Sequence, residues 1–337
     1  MPRTGGYAYI APKLRLLRFA SLERDLQTLA QYATNLQTFI QAIKSTSLAP
    51  YLPESPSLSD IEKAAWRFYL ESILEIEPFL PSEAKPIVQF YKYYVLANDI
   101  AKIGKIVAEN LIPRLGDLLF PDEKEVLAVY TAATEKSHIG FIEGLQRIGF
   151  TLAAKILSRL DATDKRAIEV AIDVDMLHRA KTALHVLKHT PAEQVFGGRV
   201  DLIAIKTAVN ACLYGLPDKL RKYVAEHITA YRLDEKTLAE LVRIGDIEGI
   251  LAALKETPYG IASGSYLAIV DEQISAIRKS IRRQLIRCLA TNPIGPSLAT
   301  GVLELLLLDV EDVIILVATA YRGATNMLAK LSISQRS

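Results

Sequence analysis

A helical motif that begins with an acid recurs three times along the chain and constrains its fold more than any other feature. Two copies begin at Asp201 and Asp309, and each ends 14 residues later, at Gly215 and Gly323. A weaker copy begins at Asp99, 102 residues before Asp201, and has proline in place of the closing glycine. Common solenoids repeat every 20 to roughly 50 residues, so each unit here is long enough to be a small helical subdomain. We expect the acids to stabilise the fold through a helix cap or a buried hydrogen bond.

A second marker, a pair of short amphipathic helices, recurs in the same order. Residues 237–259 predict two such helices that are broken at Gly245, with Asp246 as the N-cap of the second helix. Similar segments occupy 26–46 and 126–150. Because all amphipathic helices share one period, the inference of a repeat depends on the order and spacing of both markers.

Helical patterns cover almost the whole chain, and no run of alternating β-branched residues competes with them. The segment 59–62 (SDIE) has the pattern of a capping box, and Asp234 is a further candidate N-cap. We therefore predict an all-α fold of three pseudo-equivalent helical subdomains, with repeats of about 105 residues, the mean of the two spacings. The predicted boundaries are 1–116, 117–215 and 216–337.

The composition argues against several classes of protein. The 40 basic and 38 acidic side chains of the 337-residue chain give a net charge of +2, so no global field favours nucleic acid as a partner. Half of the residues are hydrophobic, which argues against disorder. Cys212 and Cys288 lie in apolar helical patterns, where we expect buried, reduced thiols that suit a cytoplasmic compartment.

The most hydrophobic stretch, from Val302 to Tyr321, is long enough to suggest a membrane span. Four acids interrupt it: Glu304, Asp309, Glu311 and Asp312. An acid at the centre of a bilayer costs ~2.5–3.5 kcal/mol on insertion scales. We therefore expect a buried helix of a soluble protein and no transmembrane segment.

Complete motifs for catalysis, phosphate binding or metal binding are missing from the sequence. His178, His185 and His189 lie along one predicted helical stripe, but the HVLKH segment lacks the glutamate that HExxH metalloproteases use as a base. We expect no cofactor, no metal and no catalytic residue. An enzyme that uses this histidine stripe is the third-ranked alternative.

The predicted helix at 271–289 carries the best candidate for an interaction surface. Its basic stripe consists of Arg278, Lys279, Arg282, Arg283 and Arg287. Such a stripe suits an acidic partner, lipid head groups or nucleic acid. Nucleic acid is the weakest of these, because the helix has no aromatic residue placed to stack on bases. The alternative is a solvated face whose cations pair with acids of neighbouring elements.

Several segments together carry a family resemblance. Residues 7–15 (YAYIAPKLR) are similar to an opening YxYxxARxR pattern, with proline and lysine around the first arginine position. Residues 250–260 resemble a leucine–threonine–proline–tyrosine hairpin end, and 200–209 and 308–323 resemble acidic–apolar helices that lack the usual asparagine–leucine–arginine core. In these features the chain resembles the C-type subunit of archaeal-type and vacuolar-type rotary ATPases, which is the d-type subunit of the eukaryotic vacuolar enzyme.

The resemblance implies a non-catalytic, all-α subunit whose three subdomains form a funnel. Members of that family join the central rotor stalk, built of D-type and F-type subunits, to the membrane ring of proteolipid subunits. They transmit torque for ATP-coupled proton or sodium transport, and they lie peripherally on the cytoplasmic side of the membrane. The alternative from another class is a soluble helical-repeat scaffold that binds proteins.

Overall fold

The computed structural model describes residues 4–19, 21–159, 165–291 and 295–333, and within these ranges the chain is almost entirely helical. The helices are α1 (Thr4–Phe19), α2 (Glu23–Tyr32), α3 (Leu36–Ile43), α4 (Leu58–Ile76), α5 (Lys85–Ala108), α6 (Lys124–Arg147), α7 (Thr151–Leu157), α8 (Lys165–Leu187), α9 (Pro191–Leu213), α10 (Asp218–His227), α11 (Glu235–Ile244), α12 (Ile247–Lys255), α13 (Tyr266–Thr291) and α14 (Pro296–Arg322). Two short strands, β1 (Glu256–Thr257) and β2 (Gly260–Ile261), pair in antiparallel register. The prediction of an all-α fold is confirmed.

The chain divides into two compact units, each assembled from separate segments. Unit 1 consists of Met1–Tyr91, Leu184–Arg199 and Asp271–Ser337, and unit 2 consists of Lys92–Ala183 and Val200–Val270. The division into subdomains 1–116, 117–215 and 216–337, and their arrangement as a funnel, stay predictions.

Helix α14 forms the centre of unit 1. It is buried along most of its length and contacts α1, α2, α3 and α4. Helix α13 approaches both α9 and α14 through glycines: a Cβ added at Gly198 would lie 2.7 Å from Ile281, and one at Gly301 would lie 2.8 Å from Leu289. A methyl group at either glycine would force its neighbour to shift, so these small residues allow the three helices to pack closely.

The hydrophobic stretch from Val302 to Tyr321 lies inside α14. Among the residues described, no helix combines the length and the apolar character needed to span a membrane. Three of the four acids in this stretch are fully buried, so they require partners inside the protein. The prediction of a buried helix is confirmed.

The second marker is a pair of short helices in each of its three copies. Helices α11 and α12 meet at Gly245, which has a φ of +77°, and Asp234 and Asp246 cap the two N-termini as predicted. Helices α2 and α3 form the pair within 26–46. Helix α6 forms the remaining copy, since non-helical backbone at Ser137, with a φ of +53°, breaks it into two parts.

Residues in the left-handed conformation follow the ends of the helices that contain the three copies of the motif. Gly215 follows α9 with a φ of +59°, and Gly323 follows α14 with a φ of +62°. In the first copy this position is taken by Asn110, with a φ of +58°, and not by Pro113. Asparagine tolerates the left-handed region better than most residues, which explains how this copy ends without glycine.

The capping box predicted at 59–62 is wrong by two residues. Helix α4 begins at Leu58, and Ser57 is its N-cap. The Ser57 hydroxyl accepts a hydrogen bond from the Asp60 amide at 3.2 Å, and Asp60 Oδ2 accepts one from the Ser57 amide at 2.9 Å. Both serines fit the sequence pattern, but Ser57 forms the reciprocal pair of hydrogen bonds with Asp60 and starts the helix two residues earlier than predicted.

Candidate functional site

A continuous set of ion pairs, here called the buried charge chain, joins α9, α13 and α14 in unit 1. Its members are Arg199 of α9, Arg278 and Arg282 of α13, and Glu304, Asp309, Glu311 and Asp312 of α14. Six of these seven side chains are buried, and Glu311 is 18% exposed. Three guanidinium groups therefore pair with four carboxyl groups inside the unit.

Among the described residues, Arg199 and Glu304 form the most deeply buried ion pair. Nε and Nη2 of Arg199 donate to Glu304 Oε1 at 2.9 and 2.6 Å, and its Nη1 donates to Glu311 at 2.6 Å. The Tyr91 hydroxyl donates to the other oxygen of Glu304 at 2.8 Å. Burial raises the pKa of Glu304, and the adjacent Arg199 opposes that rise. Both oxygens of this buried carboxyl group therefore have partners.

Arg278 and Arg282 of α13 continue the buried charge chain. Arg278 donates to Glu311 at 3.2 Å and to Asp312 at 2.7 Å, and Arg282 donates to Asp309 at 2.6 Å. Burial acts to raise the pKa of Glu311, but the two neighbouring arginines outweigh it and lower that pKa below its ordinary value. Because the two arginines are four residues apart, they lie on one face of α13, and that face packs against the acids of α14.

The structure divides the basic stripe into two sets. Arg278 and Arg282 are each 5% exposed and hold internal ion pairs, whereas Lys279, Arg283 and Arg287 are exposed. Adjacent helical residues are about 100° apart around the axis, so the two sets face different directions. The sequence analysis gave, as its alternative, a solvated face whose cations pair with acids of neighbouring elements. Arg278 and Arg282 do pair with such acids, but these pairs are buried and not solvated.

Buried aspartates in the helices of unit 2 hold the backbone of distant loops. Asp99 in α5 accepts hydrogen bonds from the amides of residues 119–120 at 2.9 and 2.7 Å. Asp201 in α9 accepts from the amides of residues 231–232 at 2.6 and 2.9 Å, and from the Tyr259 hydroxyl at 2.6 Å. Burial raises the pKa of Asp201, and these hydrogen bonds oppose the rise. Asp201 therefore accepts buried hydrogen bonds of the kind that the sequence analysis expects, and its contribution to stability stays a prediction.

In the third copy of the motif, Asp312 is the residue that holds a loop. It accepts hydrogen bonds from the amide and the hydroxyl of Ser332 at 2.9 and 2.6 Å. Asp309, the first acid of the sequence motif, pairs instead with Arg282, and its Oδ2 has no hydrogen bond among the described residues. The acid that holds the loop is therefore Asp312, which lies three residues, or almost one helical turn, after Asp309 in α14.

The number of residues between the loop-holding acid and the left-handed residue after the helix supports the assignment of Asp312. Gly323 follows Asp312 by 11 residues, and Asn110 follows Asp99 by the same number. Counted from the acid that holds the loop, a spacing of 14 is found only in the copy that contains Asp201. All three copies therefore contain an acid that binds amides of a loop, but the position of that acid within the motif varies.

The sequence analysis missed the charge partners of α14 and a fourth loop-holding acid. Asp175 in α8 accepts from the amides of residues 152–153 at 2.9 and 3.1 Å and pairs with Arg179 at 3.1 Å. The signal was present in the four acids of the most hydrophobic stretch, which the sequence analysis used only to argue against a membrane span. Acids in a buried helix require cations, and the arginines of α13 were the available set.

The predicted histidine stripe is interrupted. Helix α8 ends at Leu187, and His189 lies beyond it with a φ of +63° and its amide bonded to Glu193 at 2.7 Å. His189 is therefore not on the helix that holds His178 and His185, because the left-handed residue ends that helix. In the part of the chain that the structure describes, no group of three or more histidine, cysteine or acidic side chains is placed to hold a metal ion.

The two cysteines are buried and unpaired, as predicted. Burial raises the pKa of Cys212 and of Cys288 to about 11. Both thiols therefore stay protonated at neutral pH, and a protonated thiol is a poor nucleophile.

Comparison with known proteins gives one family match. The model of the family described as ATP synthase (C/AC39) subunit matches residues 16–328. This range includes α2 to α14, and so it includes all members of the buried charge chain and the aspartates that hold loops. No curated protein matches the chain.

Replacing Asp201 by alanine should destabilise the protein, because the amides of residues 231–232 would lose their buried acceptor. An unsatisfied buried group costs about 1–3 kcal/mol, so the free energy of unfolding should fall by at least about 2 kcal/mol. Denaturant unfolding measures this fall. The control is Asp122→Ala, which changes an exposed aspartate of the same unit and should alter stability by no more than about 0.5 kcal/mol. Equal stability of the two variants would contradict the loop-holding role.

Asp309→Asn should remove a pH-dependent contribution to stability. Burial raises the pKa of Asp309 to about 7, although Arg282 acts in the opposite direction, whereas an unfolded aspartate has a pKa of about 3.9. The folded state binds this proton more tightly, so the stabilisation is present below about pH 4 and is lost as the pH rises through about 7.

Denaturant unfolding of both proteins at about pH 5 and about pH 8 tests this account. Relative to Asp309→Asn, the wild type should lose at least about 1.4 kcal/mol between the two pH values, the equivalent of one pKa unit. The same change in unfolding free energy for both proteins would show that Asp309 does not titrate in this range.

Proposed function

Because the chain belongs to the ATP synthase (C/AC39) subunit family, we propose that it is a non-catalytic adaptor of an archaeal-type or vacuolar-type rotary ATPase. In this role it joins the central rotor stalk, of D-type and F-type subunits, to the membrane proteolipid ring. It transmits torque that couples ATP turnover to proton or sodium transport. The family match over residues 16–328 is the observation that carries this proposal.

The packing of unit 1 supports a role in torque transmission, which requires a stiff part. Helix α14 is buried along most of its length, and the buried charge chain ties it to α9 and α13 through hydrogen-bonded ion pairs. Close-packed interiors have low compressibility and transmit strain. Hydrogen bonds between charged groups add directional constraints to that packing.

The exposed cations of α13 are the partner-facing surface in this proposal. Lys279, Arg283 and Arg287 project away from the internal ion pairs of Arg278 and Arg282. Exposed cations guide association with an acidic partner and help to set its orientation, and salt weakens their effect. We place this surface against a subunit of the rotary complex, with the protein held peripherally on the cytoplasmic side of the membrane.

Affinity purification of the tagged protein from detergent-solubilised native membranes tests the adaptor role. Mass spectrometry of the bound proteins should identify the stalk subunits together with the ATPase head and the proteolipid ring. Recovery of soluble partners alone would contradict the adaptor role and favour a helical-repeat scaffold.

The same purification tests the partner-facing surface. Reversing the charge at both Arg283 and Arg287 to glutamate should reduce recovery of the complex, and the loss should depend on salt concentration. Lys222→Glu reverses an exposed cation of unit 2 and serves as the control. Equal recovery with both variants at every salt concentration would remove α13 from the interface.

A further inference from the structure

A cleft in unit 1 lies beside the exposed part of the basic stripe. Its volume is about 560 Å³, and pockets that bind small molecules measure about 300–1,000 Å³. Its polar walls come from Glu23 and Gln27 of α2 and from Lys279, Arg282 and Arg283 of α13. The segment 328–333, which follows α14, contributes much of the remaining wall.

Three cations converge on this cleft. Lys279, Arg282 and Arg283 occupy positions i, i+3 and i+4 of one helix, so they are neighbours on its surface, with Arg282 at the border between the buried face and the exposed cations. Glu23 is the single acid in the lining, and Arg282 is already paired with Asp309. Lys279, Arg283 and Glu23 therefore leave a net charge of +1, which becomes +2 once the Glu23 carboxylate is displaced. A cleft with this charge favours an anion that carries about two negative charges.

Arg282 has a donor that the protein leaves without an acceptor. The residue is 5% exposed; its Nε donates to Ser332 at 2.9 Å and its Nη2 donates to Asp309 at 2.6 Å. Its Nη1 makes no hydrogen bond among the described residues and lies 3.8 Å from the Glu23 carboxylate. That separation is too long for a hydrogen bond. A buried charged donor without an acceptor is costly, so an incoming oxygen atom would gain binding energy here.

Glu23 occupies the approach to this donor and is able to leave it. Its side chain is 49% exposed, and its contact with Arg282 is a long ion pair. An anion that binds two or three cations at once would displace this single carboxylate. Glu23 therefore acts as a weak internal competitor for the cleft.

We propose that this cleft binds a phosphate group, held by Arg282 and Arg283 with Lys279 beside them, after displacement of the Glu23 carboxylate. A phosphate monoester carries about two negative charges at neutral pH and offers three terminal oxygens as acceptors. A carboxylate is planar and offers two oxygens and one charge, which leaves part of this cation set unused. Guanidinium groups also match phosphate geometry with paired donors.

The apolar part of the lining indicates that the phosphate is attached to an organic group. Ile286, Leu328 and Leu331 line the same cleft, and Ile286 is 61% exposed. A phosphorylated small molecule and the head group of a phospholipid share this chemistry, so the experiment must separate the two sources. The proposal goes beyond the adaptor role and does not depend on it, because binding is measured on the purified chain alone.

The test measures binding of two probes to the full-length protein. Inorganic phosphate is titrated and followed by phosphorus NMR, with acetate as the competing anion. Vesicles of phosphatidylcholine containing phosphatidic acid are compared with vesicles of phosphatidylcholine alone in a flotation assay. Binding of inorganic phosphate indicates a soluble phosphate ligand, and binding only to the vesicles that contain phosphatidic acid indicates a lipid phosphate.

Paired variants give opposite expected results. Arg283→Gln should weaken binding by roughly tenfold, the loss expected for a charged hydrogen bond. Glu23→Gln should tighten binding several-fold, because it removes the competing carboxylate while it keeps the side-chain size. Arg287→Gln is the matched control: it removes an exposed cation of the same helix that does not line the cleft, and binding should stay unchanged.

Three results would overturn the proposal. One is the absence of binding to both probes. Another is acetate binding as tight as phosphate binding, which would indicate nonspecific attraction of anions. The third is an equal loss of binding in Arg283→Gln and Arg287→Gln, or weaker binding in Glu23→Gln. Arg287 belongs to the proposed partner surface but does not line the cleft. Arg287→Gln should therefore affect recovery of the rotary complex and leave phosphate binding unchanged, which separates failure of this proposal from failure of the adaptor role.

Discussion

The buried charge chain is the constraint on which unit 1 depends. Helix α14 carries four acids in a setting that is otherwise apolar, and an acid that lost its cation there would be strongly destabilising. Arg199, Arg278 and Arg282 supply the compensating charges, and this requirement fixes which faces of α9 and α13 point towards α14. Gly198 and Gly301 then permit the close approach that such short ion pairs need.

The same physical device recurs in unit 2 with backbone amides in place of arginines. Asp99, Asp175 and Asp201 each accept hydrogen bonds from two consecutive amides of a segment distant in sequence. A long helix thereby holds a connecting loop in place by satisfying backbone donors that would otherwise be buried without acceptors. Both versions of the device favour a stiff protein, which suits a family of rotary ATPase subunits.

Much of the fold could be predicted from the sequence, because helices and their ends have local signals. The break at Gly245, the cap at Asp246 and the closing glycine at Gly323 were all predicted. Which acid of α14 holds a loop could not be predicted, because Asp309 and Asp312 lie almost one turn apart and share a helix face. The inward orientation of Arg278 and Arg282 was missed for a similar reason: it is set by acids on another helix, which a sequence pattern does not place.

A double-mutant cycle on Arg199 and Glu304 tests the central claim most directly. Arg199→Met and Glu304→Gln should each lower the free energy of unfolding by about 3–5 kcal/mol, because each breaks the buried ion pair and removes the partner of the remaining charge. The double variant should lose far less than the sum of the two single losses, since neither position of the broken pair then holds a buried charge and Glu311 keeps Arg278. Additive losses would show that the two side chains act independently, and that unit 1 does not depend on the buried charge chain.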